Sequence, residues 1–239
     1  MSMAFSLTSL GLAAARSGPD PRSPLAWDGG YQKDPSTALL FKLNEGTGNL
    51  THDESSFGNF GAIAGAEWAD GRRGKGLRFD GINDSIRVPS SPSLAIAGAL
   101  TLEAWIFPMA VLDGVGTLIV KDGSYLLEAV EGAAPKFRCT VWQGAASNTL
   151  QSSSRVESSL WQHLAMTFDG TALKLYLNGI LDAQRNIGPG AIAVNANDVF
   201  IGAHPAGNPS RVSNAVLDEV RISSAARAAA ELAPNMEGA

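Results

Sequence analysis

Between Trp161 and Ile187 the chain spells out three strands and the turns that join them. Leu164, Met166 and Phe168 alternate with smaller or polar residues, Asp169-Gly170 follows, Leu173, Leu175 and Leu177 alternate again, and Asn178-Gly179 comes next. A period of two puts every apolar residue of a strand on one face. Asp-Gly and Asn-Gly between such runs mark tight hairpins, because their turn residues take positive φ. The stretch predicts an antiparallel meander with one greasy face, which needs a second apolar layer to cover it.

Similar short runs fill most of the chain. Leu39–Leu43 is the first. Gly76–Asp80 and Ser85–Val88 flank Gly81-Ile82-Asn83-Asp84 and read as a hairpin. Leu100–Phe107 stops at Pro108; Gly116–Val120 and Ser124–Val130 bracket Asp122-Gly123; Lys136–Trp142, Val199–Ala203 and Ala215–Ile222 follow. Ala225–Leu232 is rich in Ala and predicts one short helix. About a dozen strands with no crossover helices describe an all-β antiparallel sandwich over residues 38–232. Residues 1–37 read as an extended N-terminal arm, because Pro19, Pro21 and Pro24 exclude a helix there, and 233–239 as a tail.

Composition narrows the function classes. A net charge of −5 gives no basic footprint for nucleic acid. One cysteine cannot form an internal disulfide, and Cys139, between Phe137 and Val141, reads as a buried thiol. The apolar stretch Met3–Ala15 is too short to span a bilayer as a helix. It carries small residues suited to signal-peptide cleavage but no Lys or Arg before its apolar part, so both readings stay open. A Pro-rich arm becomes ordered only when something holds it, either its own domain or a neighbouring subunit contacted through residues 1–36.

Seven motifs appear in a fixed order: Leu40-Phe41-Lys42-Leu43-Asn44-Glu45-Gly46, Asp53–Gly61, Gly71–Gly81, Leu102-Glu103-Ala104-Trp105-Ile106, Trp161-Gln162-His163-Leu164-Ala165, Leu173–Gly179 and Leu217-Asp218-Glu219-Val220-Arg221-Ile222. In this order they resemble the laminin-G-like jelly-roll domain of the concanavalin A-like lectin/glucanase superfamily. The resemblance implies a jelly-roll sandwich. It leaves the activity open, since that superfamily holds lectins, adhesion modules, glycosidases and lyases.

Glycoside hydrolysis needs two carboxylates flanking the bond. The glucanase branch carries them as Glu-x-Asp-x-(x)-Glu, and no Glu here is followed two residues later by an acid. No Gly-x-Ser-x-Gly elbow is present, and the scattered His52, His163 and His204 give no zinc spacing. The resemblance implies calcium. By strand parity Asp218 shares a face with Val216, Val220 and Ile222, and a buried acid must be hydrogen-bonded, paired or metal-bound. Asn44, Asp53 and Asn59 are the loop oxygens that would complete a Ca²⁺ site with it. A pentraxin-type calcium site is not expected, because the loop Ala203–Asn208 has no carboxylate.

For a ligand, Tyr176 alternates outward with Lys174 and Asn178, Trp142 ends a strand at a loop rim, and Asp122 lies in a loop that resembles a ligand position. Trp105 reads as core, because both faces of its strand carry apolar bulk. The expected function is a non-catalytic binding or adhesion module for glycan or protein surfaces. The alternative is a structural decoration, fibre or capsid-associated subunit of a virus particle or other large assembly, held by its N-terminal arm. A polysaccharide lyase or hydrolase ranks last. Each of the first two readings places the chain outside cells, on a cell surface or on a virion.

Overall fold

The computed structural model describes residues 30–109, 116–130, 134–205 and 211–232. Most of the N-terminal arm and the C-terminal tail lie outside the described residues. Among the described residues sixteen strands, numbered along the chain, form two antiparallel sheets of eight. The first sheet runs β14 (Ile180–Asn186), β13 (Ala172–Leu177), β12 (Gln162–Phe168), β7 (Leu100–Pro108), β16 (Asn214–Ser223), β5 (Lys75–Asp80) and β4 (Glu67–Asp70), with β1 (Thr37–Phe41) also on β16. The second runs β11 (Ala146–Arg155), β10 (Lys136–Gln143), β9 (Tyr125–Val130), β8 (Gly116–Lys121), β15 (Val199–Ile201), β6 (Ser85–Val88), β3 (Phe60–Ala64) and β2 (Leu50–His52). One short helix, α1 (Ala229–Leu232), follows. The fold is the expected jelly-roll sandwich.

The meander forms as its turns require. Phe168 pairs with Leu173 and Leu177 with Ile180. Asn178 and Gly179 have φ of 51° and 76°, and Gly170 has 96°. Leu164, Met166, Phe168, Leu173 and Leu175 face the core, where they meet Tyr125, Leu127, Phe137, Cys139 and Val141 of the second sheet. The expected hairpin at 81–84 does not form: β5 belongs to the first sheet and β6 to the second. Leu77 and Phe79 on one side and Ile86 and Val88 on the other all face the core, so the connection steps across the sandwich. Asp84 holds that step by accepting the Asp80 N–H at 2.8 Å.

The outer face of the first sheet is covered as well. Glu103 on β7 is fully buried there, 2.7 Å from the Arg221 guanidinium and 3.4 Å from His163 Nε2. Residues 30–36 cross over this group as a strap. The Tyr31 hydroxyl bonds His163 Nε2, its ring lies 4.1 Å from the Arg221 guanidinium, and its N–H donates to Glu219 at 3.0 Å. Arg227 reaches from the C-terminal side to Asp34 at 2.7 Å and Glu103 at 3.8 Å. The described part of the arm is therefore held by its own domain. Trp105 is 5% exposed on this face, with the Arg72 guanidinium 4.7 Å above its ring.

Two outcomes follow. Burial pushes the Cys139 thiol up to about 12, so thiolate is scarce at neutral pH. Ellman's reagent should leave the native chain unlabelled and react only on unfolding; rapid native labelling would contradict this packing. The hydrogen bond from Arg227 holds the Asp34 carboxyl well below its ordinary 3.8. A depressed carboxylate contributes stability above its unfolded value and loses it as pH falls towards its folded one. The melting gap between the natural chain and Asp34→Asn should be widest at neutral pH and close as pH drops below 3.8. A gap independent of pH would show that the strap ion pair does not form.

Candidate functional site

Among the described residues no further strand lies over the outer face of the second sheet, although its outward residues Leu126, Glu128, Val130 and Thr140 are buried. Tyr125, Leu127 and Ala129 point into the core, so Leu126, Glu128 and Val130 point out. On β10 the same alternation turns Phe137, Cys139 and Val141 inward and Arg138, Thr140 and Trp142 outward. Glu128 is fully buried and holds two guanidiniums, with Arg138 Nη2 2.5 Å from Oε1 and Arg211 Nη2 2.5 Å from Oε2. Thr140 Oγ1 lies 3.0 Å from Thr149 Oγ1 on β11. Trp142 is half-buried at the β10 end of this row.

Phe200, half-buried on β15, extends the face on the other side. Gly202 then turns the chain with φ of +81°, and a Cβ there would lie 2.1 Å from the Phe79 ring, so only glycine fits. The turn brings His204 back to Asp122, with Nε2 3.6 Å from Oδ1. Burial, with Arg211 nearby, holds His204 below its ordinary value, and Asp122 opposes this. Among the described residues, His204 Nδ1 and Arg211 Nε are buried without a hydrogen-bond partner. Asp122, Asn197, Asp198, Phe200 and Pro205 line a hollow of about 210 Å³. Its loop is pinned from below by the Lys121 ammonium on the Asn197 carbonyl and by Arg87 on Asp198 at 2.6 Å.

Of the expected ligand residues, Asp122 and Trp142 lie at the same end of this sheet, where the Trp142 backbone N–H donates to the Ser124 carbonyl at 3.0 Å. Tyr176 does not join them. It lies on the outer face of the other sheet, 7% exposed and packed against Ala165 and Leu232 of α1. The expectation of an exposed Tyr176 fails because the C-terminal helix covers the face to which it alternates. Glu128, Arg138, Thr140 and Phe200 were not among the expected residues. Their signal was the acid in Leu126-x-Glu128-x-Val130, which points the opposite way to the core residues between.

The parity placed on Asp218 is also corrected. Leu217 and Val220 both face the core, because Glu219 takes φ of 50° and inserts a bulge between Asp218 and Arg221. Asp218 thus lies on the outer face, fully buried all the same. It accepts the N–H of Arg73 at 2.8 Å and of Glu219 at 2.7 Å. Asn44 accepts the N–H of Lys75 at 2.8 Å, so both clamp the 71–75 turn. Asp53 and Asn59 form a different clamp. Asp53 takes the N–H groups of Leu40, Ser55 and Asn59, the Ser55 hydroxyl and the Asn59 amide, all within 3.0 Å. Carboxylates saturated by N–H and O–H donors do not fit a calcium cage, and among the described residues no three Asp, Glu, His or Cys side chains gather to hold a metal.

With this geometry in hand, the chain can be compared with known proteins. A laminin-G-type family model, described as the concanavalin A-like lectin/glucanases superfamily, matches residues 80–233. The chain belongs to that superfamily. No curated protein matches it by sequence. Solved structures match by shape. The binding domain of Paraclostridial Mosquitocidal Protein 1 aligns with a TM-score of 0.67 and 16% identity, over 83% of this chain and 51% of that one. The binding domain of Botulinum Neurotoxin serotype G gives 0.63 and 15%, over 82% and 50%. The ligand binding domain of Botulinum neurotoxin serotype D, solved in complex with N-acetylneuraminic acid, gives 0.63 and 14%, over 83% and 50%. This superfamily member spans about half the length of each of those chains, and at these identities the likeness shows the fold.

The clamp on Asp53 yields a prediction. Asp53→Ala strips an acceptor from several backbone N–H groups, each costing about 1 kcal/mol or more, and should lower the melting temperature by several degrees. EDTA should leave the melting temperature of the natural chain unchanged. A large EDTA shift abolished by Asp53→Ala would show that the carboxylate binds metal instead.

Proposed function

We propose that this chain is a non-catalytic binding module that takes a glycan on the outer face of the second sheet, between Trp142 and the hollow beside Phe200. The observation that carries the reading is a fixed polar group beside the two rings: along β10 the outward residues run Trp142, Thr140 and Arg138, and Phe200 shares the Thr140 row through Val120 and Leu126. Glu128 holds the Arg138 and Arg211 guanidiniums, whose side chains are 36% and 24% exposed, so the two cations are fixed in place before a ligand arrives. Sugars present flat C–H faces and dense hydroxyls, which suit aromatic rings beside oriented donors and acceptors. The same arrangement supports the non-catalytic reading. Both Glu128 oxygens are occupied by guanidiniums and Asp122 is beside His204, whereas glycoside hydrolysis needs a free acid and a free carboxylate facing one bond. The serotype D domain solved with N-acetylneuraminic acid supports glycans as the class to try first.

Glycans are displayed outside cells and on particle surfaces, and the reading places the chain there. No helix among the described residues is long and apolar enough to cross a membrane. The assembly-subunit reading rests on an arm that reaches a neighbour, and the described part, residues 30–36, folds onto its own domain.

A broad glycan array should show binding, and Trp142→Ala and Phe200→Ala should each weaken it roughly tenfold, the loss of about 1.4 kcal/mol of ring contact. Arg138→Ala should weaken it as well, while Tyr176→Phe should not. Absence of any array signal, or equal loss with Tyr176→Phe, would overturn the assignment of this face.

A further inference from the structure

The hollow beside Phe200 offers a ligand acceptors and almost no donors. Among its lining side chains only Asn197 carries a donor. That amide is turned to the Asp122 backbone carbonyl at 3.0 Å, which the Asn195 amide also meets at 2.8 Å. The cations next to the hollow are held too, Arg87 on Asp198 at 2.6 Å and Lys121 on the Asn197 carbonyl.

Its two acids are not equivalent. Asp198 accepts the Ser90 N–H at 2.8 Å besides Arg87, so its charge is compensated. The Asp122 side chain is 47% exposed, and its carboxylate has one polar partner among the described residues, His204 Nε2 at 3.6 Å. That distance is beyond a hydrogen bond. Burial holds His204 below its ordinary value, so at neutral pH the imidazole brings no countercharge to Asp122. A bare carboxylate at the mouth of a hollow is matched by a ligand that brings donors, and a charged donor is bound about twice as strongly as a neutral one. Phe200 and Pro205 add apolar walls, and an aromatic face attracts a cation. A carboxylated sugar would meet two acids there and an amide already turned to a carbonyl.

We propose that the hollow is the subsite for an amino sugar, with the sugar's ammonium group on the Asp122 carboxylate and its ring carbons against Phe200 and Pro205. The inference rests on the glycan reading of this face and narrows it. The sugar seated beside Phe200 carries a free amine in place of an acetamido or carboxylate group. Arg138 and Arg211 share Glu128 and line no part of the hollow.

Titration of the full chain with a glucosamine oligosaccharide, and with its N-acetylated counterpart of equal length, tests this. The free-amine form should bind about tenfold more tightly or better at neutral pH, the effect of one charge-assisted hydrogen bond. Asp122→Asn should abolish that preference without changing the melting temperature. Asp70→Asn, which removes the same charge from the edge strand β4 of the first sheet, should keep it. Equal affinity for the two oligosaccharides, with Trp142→Ala weakening both, would overturn the amine subsite while the glycan reading stands. Failure to bind either, or any other glycan, would overturn the glycan reading and the subsite with it. Loss of the preference with Asp70→Asn would assign the selection to overall charge and overturn the proposal. Tighter binding of polylysine than of the amino sugar would also overturn it and make a basic protein surface the occupant.

Discussion

Glu103 on the central strand β7 is the group on which the arrangement of this molecule depends. A carboxylate with no exposure cannot stay in a sheet without compensation, since stripping water from an ion costs several kcal/mol. Arg221 on the adjacent strand supplies the countercharge at 2.7 Å, and Arg227 and His163 stand beyond it. That group needs a lid, because ion pairs exposed to water are worth little. Tyr31 from the N-terminal side and Arg227 with α1 from the C-terminal side provide it. The two ends of the domain are thus tied across one face of the first sheet.

This division of labour decides where a ligand goes. The first sheet spends its outer face on structure. The second sheet leaves Trp142 and Phe200 partly exposed to one side of a carboxylate that fixes Arg138 and Arg211. Its floor is rigid because Lys121 and Arg87 anchor the loop beside it. A preformed surface of this kind binds without first ordering its side chains, which lowers the entropic cost of association.

Much of this was legible in the sequence. The meander could be read because the Asn178-Gly179 turn residues both take positive φ, and apolar bulk at both parities of Leu100–Phe107 correctly showed a strand covered on both sides. What escaped the reading had no period of two to reveal it. The bulge at Glu219 reverses the parity of β16, so Asp218 was assigned to the wrong face. β11 is a Ser-rich edge strand with almost no apolar rhythm, and the four-residue step at 81–84 looks like a hairpin until the core assigns its flanking strands to different sheets. Tyr176 alternates outward as expected, but a helix distant in sequence covers it. The clamp residues Asp53, Asn59 and Asn44 were singled out for their oxygens; that N–H groups and not a metal fill them depends on loop contacts that spacing does not encode.

The central claim is that the chain from Gly30 to Ser36 is part of the folded domain because it closes over Glu103. Amide hydrogen exchange on the full chain measures this directly. The account predicts that Tyr31, whose N–H is bonded to Glu219, exchanges as slowly as the amides of β1 and opens only with the sheet. Exchange of Tyr31 at the rate of an unstructured peptide, with β1 protected, would contradict it.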